Sequence, residues 1–542
     1  MLPRINHLPF ALCFLFLLTG YASSADGNLA EKVKNDLYEY NDYIVKNTEA
    51  NDKKYRETKA QEKFEDWKKA AEAGIPEGQV LLGICYYYGT GVSENKVEAA
   101  IWTRKAAEQG NTEAQRRLGV CYFTGTGIPE DKAEAVRWFR QAAEQENAWA
   151  QCNLGKCYLN GWGVPEDKEE AVKWTRKAAE QGYAEAQYAL GEYYLCGLGI
   201  PEDKVEAFKW YRKAAEQGHV EAQYNLGVCF FKGIDIPKDK KEAVKWWHKA
   251  AEQGDDEAQK NLGASYLFGW CVSEDHEEAV KWFRKAAEQG NAEAQRNLGV
   301  CYLKGQGIPE NKEEVVKWFR KSAEQGDSLA QGLLGQCYYD GVGVSEDKEE
   351  AVMWWRKAAE QGHVEVQQNL GVCYFHEDKA EAVKWWRKAA EQGNVEAQKN
   401  LGASYLFGWG VSEDHEEAVK WFRKAAEQGN AEAQNNLGTC YSRGWGIPED
   451  EEEAVKWWRK AAEQGYVDAQ KALGWSLFIG SGDSEDETDA FKWFRKVDEQ
   501  AKVFGLLQSN GEKIEEEPAK AENKTPSLFE KLSSLPSWVQ PE

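Results

Sequence analysis

The string Ala-Ala-Glu-Gln-Gly, or a close variant, ends at Gly74, Gly110, Glu146, Gly182, Gly218, Gly254, Gly290, Gly326 and Gly362, at 36-residue intervals. The next interval, to Gly393, is 31 residues, and Gly429, Gly465 and Ala501 resume the longer step. Twelve units therefore lie between residues 75 and 501, one of them five residues short. No other feature constrains the fold so strongly. Registered units of this size bury their apolar faces against their neighbours and do not share one closed core.

Each unit holds two helices. In the copy ending at Gly326, a first helix opens near Asn291 and sets Ala294, Leu298, Cys301 and Tyr302 on one side. Gly305-Gln306-Gly307-Ile308-Pro309 breaks it, since glycine permits positive φ and proline cannot continue a helix. Asn311 reads as the N-cap of the second helix, and Glu314, three residues on, as the partner in a capping box. Asp131 with Glu134, Asp203 with Glu206 and Asp450 with Glu453 repeat that arrangement. Val315, Trp318, Phe319 and Ser322 form the second apolar stripe, and Gly326 closes the helix.

Three positions recur in every unit. Leu-Gly, from Leu82-Gly83 to Leu473-Gly474, sits in mid-helix, where glycine costs about 1 kcal/mol relative to alanine. A neighbouring helix backbone is expected to pack against it. A tryptophan, from Trp102 to Trp493, is the expected anchor between units; in the pairs Trp246-Trp247 and Trp354-Trp355 the first is expected to be core. A glutamine such as Gln115 or Gln295 precedes each Leu-Gly and can bond across the helix pair.

The segment from Ala114 to Gly127, Ala-Gln-x-x-Leu-Gly-x-x-Tyr-x-x-Gly-x-Gly, resembles the Sel-1-like repeat family, a relative of the tetratricopeptide repeats. So does Glu134 to Glu146, Glu-Ala-x-x-Trp-x-x-x-Ala-Ala-x-x-Gly, where Glu146 replaces the family's glycine. The resemblance covers residues 75–501. It implies an all-α protein, an α/α solenoid wound as a right-handed superhelix, whose first helices line the inner surface. It further implies a scaffold or adaptor that binds protein or peptide partners. On the inner surface, Asn153, Asn225, Asn261, Asn297, Asn369, Asn400 and Asn436, each just before Leu-Gly, become the candidate binding residues. By that resemblance their amides form a ladder for a peptide backbone; the alternative is that they bond within the scaffold.

Charge narrows the partner classes. The net charge is −23, and Lys and Arg alternate with Glu and Asp throughout, so no basic stripe exists for a phosphate backbone. Nucleic acid is excluded as a partner. Two irregularities stand out within the array. In residues 363–393, Tyr374-Phe375-His376-Glu377-Asp378 replaces the glycine turn; Cys373 beside it occupies a core-cysteine position, so no metal site is expected there. Residues 255–302 and 394–441 are nearly the same sequence, which wholesale duplication of units explains.

Eight cysteines (Cys85, Cys121, Cys157, Cys229, Cys301, Cys337, Cys373 and Cys440) share one repeat position. Equivalent positions in adjacent units are expected roughly 9–10 Å apart. Disulfides need Cα atoms within about 7 Å, so a ladder of bridges is not expected. A branch of the resembled family carries two cysteines per repeat and is associated with β-lactam binding or hydrolysis; this chain departs from it. Ser93-Glu94-Asn95-Lys96 and Ser345-Glu346-Asp347-Lys348 fit the Ser-x-x-Lys form, but stand where other units have Pro-Glu-Asp-Lys and read as turn and cap residues. No enzyme, cofactor or metal is expected. A cell-envelope component that stacks glycans on exposed aromatics is a third reading.

The ends differ from the array. Arg4, the apolar run Leu8 to Leu18, and Ser23 and Ala25 at the −3 and −1 positions read as an export signal in residues 1–25, cleaved near Ala25. The run is too short for a comfortable membrane span, and none follows it. Residues 26–74 read as a helical N-terminal cap, with Leu29, Val33, Leu37, Tyr40 and Ile44 on one face and Phe64, Trp67, Ala70 and Ala71 as the second helix of an incomplete unit. Residues 502–542 read as an acidic, flexible tail carrying Leu528, Phe529, Leu532, Leu535 and Trp538.

Overall fold

A computed structural model describes residues 29–39, 49–233, 236–270, 272–480 and 488–498. The signal, the tail, Tyr40 and Ile44 lie outside the described residues. Among those residues the chain is helix and turn, with no strand. No described helix is long and apolar enough to cross a membrane. The chain divides into two compact units, one up to Asp255 and one from Asp256.

In the first unit, α1 (residues 29–39) and α2 (Glu49–Glu72) precede the repeats. First and second helices then alternate as α3 (Pro76–Tyr88), α4 (Lys96–Glu108), α5 (Thr112–Thr124), α6 (Lys132–Glu144), α7 (Ala148–Asn160), α8 (Lys168–Glu180), α9 (Ala184–Cys196), α10 (Lys204–Glu216), α11 (Val220–Lys232) and α12 (Lys240–Glu252). From α2 to α12 each helix packs on the next, within a repeat and then across to the following one. The second unit repeats this alternation from Asp256–Leu267 to Val467–Gly480 and residues 488–498. Val33, Leu37, Trp67 and Ala70 share a buried cluster with Val80, Leu81 and Ile84 of α3. Trp67 Nε1 donates to Asp36 across that packing at 2.9 Å.

From α4 to Glu451–Glu463 each second helix starts at a side-chain cap. Asp131 Oδ1 accepts from Glu134 N at 3.0 Å, and Asn311 Oδ1 from Glu313 and Glu314 N. The capping box, however, is not closed. The cap's own N–H donates to a tyrosine carbonyl of the first helix, as Asp131 N to Tyr122 O (2.8 Å) and Asn311 N to Tyr302 O (3.2 Å). Glu314 instead accepts from Lys317 and from Trp318 Nε1. The first helix thus fixes the point where the second begins.

The Leu-Gly glycines face rings and hydroxyls more than backbone. A Cβ on Gly119 would lie 2.5 Å from the ring of Phe139, and one on Gly227 2.5 Å from the ring of Trp247; at Gly83 and Gly155 the neighbour is the hydroxyl of Thr103 or Thr175. The ring admitted by the glycine belongs to the residue after the repeated tryptophan, and the expectation that the first Trp of each pair is core holds for Trp354 but not for Trp246. Trp247 is fully buried while Trp246 is only half-buried; Trp354 and Trp355 are both buried. The repeated tryptophan does link units: Trp174 joins the cluster of Ala135, Val136, Leu154 and Cys157. A lysine three residues on covers its face, as Lys285 over Trp282 at 3.9 Å.

The neighbouring helix backbone does come close behind these groups, with Ala171 O 3.0 Å from a Cβ on Gly155 and Ala135 O 3.3 Å from one on Gly119, but the tightest backbone approach is at a different glycine, the second of the turn. A Cβ on Gly163 (φ +72°) would lie 2.1 Å from the carbonyl oxygen of Lys132, in the preceding repeat's second helix. Gly127, Gly199, Gly307, Gly343, Gly410 and Gly446 make the same approach.

The repeated glutamines join three helices. Gln295 Nε2 donates to Ala287 O of the preceding repeat at 3.0 Å, while its Oε1 accepts from Gln325 Nε2 at the end of its own second helix, at 2.8 Å. Gln151 and Gln331 make the same pair of bonds.

Candidate functional site

The seven asparagines occupy one face of the first helices but are not alike. Asn153 is half-buried, and its Nδ2 donates to the Trp149 carbonyl of its own helix at 2.9 Å. Asn225 Nδ2 donates to Glu192 Oε1 at 3.1 Å, an oxygen that also accepts from Tyr211 OH at 2.5 Å. Asn261 and Asn297, in consecutive repeats, are 5% and 6% exposed, and their Nδ2 atoms have no acceptor. Asn369, Asn400 and Asn436 are half-buried; Asn436 Oδ1 lies 3.5 Å from Asn435 Nδ2. Two of the amides are therefore engaged within the scaffold.

Beside them runs a set of ion pairs that pattern reading did not single out. Lys260 bonds Glu257 (2.7 Å) and reaches Glu293 of the next repeat (3.0 Å). Arg296 pairs with Asp327 at 2.7 Å with both side chains buried, and Lys399 pairs with Glu396 and Glu432. Burial alone lowers the Lys260 ammonium, but Glu293 and Glu257 outweigh it and hold the pKa above its ordinary value. The signal in the sequence was a cation two residues before Leu-Gly with an acid at the start of the following repeat.

Asn153 also lines a pocket of about 190 Å³ formed by α5, α6, α7 and the turn after α7. Its walls are aromatic: Phe123, Phe139, Trp149 and Trp162. Phe123 meets Trp162 at 5.5 Å between ring centroids with an interplanar angle of 64°, and Phe139 meets Trp149 at 5.7 Å and 67°. Arg116 lies over the Trp149 ring at 4.9 Å and is held by Glu113, its Nε donating to Oε2 at 2.8 Å. Burial pushes the Glu113 carboxyl up, but Arg117 and Arg116 outweigh it and hold the pKa at about 2. Lys156, the other polar lining residue, pairs with Glu185 at 2.8 Å, and Glu185 also meets His219 Nε2 at 2.9 Å. Glu185 is held down to about 2 by His219 and Lys156.

In the shortened unit the first helix ends at Tyr374 and Phe375 caps it with φ −57°, in place of a left-handed glycine. Asp378 still caps the next helix, and its N–H still reaches the tyrosine carbonyl, Tyr374 O, at 2.7 Å. Asn95 and Asp347, within the two Ser-x-x-Lys strings, are the N-caps of α4 and of Lys348–Glu360, and Ser93 and Ser345 are exposed turn residues. Cys85, Cys301 and Cys337 are free and buried, and burial pushes each thiol up to about 12; Cys196 is exposed.

The Sel1 repeat matches twelve times along the chain, in segments from 76–111 to 467–496 that include the shortened 364–394. A protective antigen present in uropathogenic Escherichia coli strains, whose crystal structure displays an SLR fold, is 36% identical; the match covers 84% of this chain and 98% of the antigen, with a TM-score of 0.70. A Sel1 repeat protein from Oxalobacter formigenes is 36% identical over 45% of this chain and 96% of its own, with a TM-score of 0.41. No curated protein sequence matches the chain.

Proposed function

Because the chain belongs to the Sel1 repeat family, we propose that it is a protein-binding scaffold that holds an extended partner along the face of its first helices. The observation that carries this reading is the pair of buried Nδ2 donors on Asn261 and Asn297. Buried donors without acceptors are rare in native proteins and cost about 1–3 kcal/mol each. Both Nδ2 atoms are closed to solvent here, so an arriving partner supplies their acceptors once the side chains above them turn aside. Backbone carbonyls of a peptide have the right chemistry. The ion pairs beside them support the same reading, since they fix the first helices of adjacent repeats against each other and so pre-organise the face.

Residues 1–25 carry the further proposal of export, and the test begins there: the mature chain isolated from its native cell starts near Asp26. Affinity capture from envelope extracts then recovers one stoichiometric protein partner, and Asn261→Ala with Asn297→Ala weakens that capture at least tenfold. Retention of glycan alone, with no protein partner, would refute the scaffold and favour an envelope component.

A further inference from the structure

We propose that the aromatic pocket between α5, α6 and α7 is a specificity pocket that receives one large apolar side chain from an acidic stretch of a bound polypeptide. The proposal rests on the scaffold reading and deepens it by giving the partner a chemistry.

Size comes first. A volume of about 190 Å³ is below the roughly 300–1,000 Å³ of pockets that enclose whole small-molecule ligands. It suits a single aromatic or branched side chain, the kind of group that dominates interface energetics when it enters a desolvated pocket.

The walls come next. Phe123 and Trp162, and Phe139 and Trp149, meet edge to face, which leaves an apolar cleft whose rings brace one another. Trp149 is fixed on its outer side by Arg116, and Phe139 is seated against Gly119. The cleft is therefore formed before anything binds. Its mouth is open at Trp162, which is 39% exposed.

A sugar ring needs several hydrogen-bonding groups in addition to a stacking face. Here the two polar lining residues are already engaged, Asn153 Nδ2 with the Trp149 carbonyl and Lys156 with Glu185. An apolar guest is satisfied by the site as it stands.

Charge selects what flanks that guest. Arg116, Arg117, Lys156 and Lys132 stand around the pocket against Glu113, Glu185, Glu130 and Asp131, a locally neutral rim in a chain of net charge −23. Carboxylates beside the inserted residue meet four cations on this neutral rim, whereas the acidic surface elsewhere repels them.

The measurement is fluorine NMR of the full chain with acetyl-Asp-Asp-(4-fluoro-Phe)-Asp-amide, with a lysine-flanked version as comparison and an unlabelled glycine-centred peptide as competitor. Saturable broadening is expected for the acidic peptide, with at least threefold weaker binding for the basic one and no displacement by the glycine-centred one. Val120→Trp fills the cavity, and Trp162→Ala removes an exposed wall without touching a helix core; each weakens binding at least tenfold. Trp445→Ala, at the same turn position of another repeat, leaves it unchanged. Equal affinity in Val120→Trp and wild type, or displacement of the peptide by chitotriose, would overturn the pocket assignment. A partner still captured through Asn261 and Asn297 in that event would leave the scaffold reading standing, so the two failures are distinguishable.

Discussion

At the scale of single residues, glycines that look equivalent in sequence do different work. Gly163 combines a left-handed φ of +72° with a carbonyl where its Cβ would be, so Gly163→Ala is expected to cost more than about 2 kcal/mol in urea unfolding. Glu146 is the opposite case. It holds φ +64°, alone among the described non-glycine residues, where every other unit but the last has glycine. Glu146→Gly is expected to stabilise the chain by roughly 0.5–1 kcal/mol, the relief of left-handed strain less the added freedom of the unfolded chain. Gln295→Leu strands Ala287 O and Gln325 and is expected to cost about 1–3 kcal/mol. The 36-residue recurrence made all of these positions visible, but recurrence says only that a residue is needed. It pointed to the Leu-Gly glycine, which recurs in every unit, and passed over the second turn glycine, which Asp235 and Cys271 replace in two of them, and only the packed structure shows that the closer carbonyl lies at the turn.

At the scale of the helix, caps and charges follow the sequence closely because they depend on residues three or four positions apart. Asp131→Ala removes the cap of α6 and is expected to cost about 1 kcal/mol. Glu113, near the start of α5, is held from an ordinary 4.5 down to about 2. Its contribution is therefore complete above pH 4.5 and lost as pH falls through about 2; at about 1.4 kcal/mol per pH unit it amounts to roughly 3 kcal/mol. The stability difference between wild type and Glu113→Gln should be largest near neutrality and close between pH 4.5 and 2. The aromatic pocket, by contrast, was not legible. Phe123, Phe139, Trp149 and Trp162 come from two repeats and look like ordinary core and turn residues in each. The asparagines were legible as a row, yet whether each amide is free depends on non-periodic neighbours such as Glu192 beside Asn225.

At the scale of the whole molecule, contacts are local: within each of the two units, from α2 to α12 and from Asp256–Leu267 to Val467–Gly480, successive helices pack on one another. Stability is then a sum of repeat and junction terms. Hydrogen exchange of Gly163→Ala is expected to show lost protection in α5 to α8 and unchanged protection in the helices from Val395 to Arg443; uniform loss would mean that the array unfolds as one body. The glutamine relay has a consequence at this scale too. Gln392 still donates to Gln367 at 2.8 Å in the repeat that lost five residues, just as Gln428 donates to Gln398 in the full-length repeat that follows. The junction bond persists as well: Gln367 Nε2 donates to Ala359 O of the preceding repeat at 2.9 Å and Gln398 Nε2 to Ala390 O at 3.1 Å, so the junctions on both sides of the shortened repeat present the same donor and the same acceptor. A gene built this way tolerates unequal crossing-over, because any repeat copied beside any other finds its bonds waiting. The near-identical stretches 255–302 and 394–441 bear the mark of that history. Copy number becomes a heritable variable, and natural variants of this gene should differ by whole repeats before they differ by fractions of one.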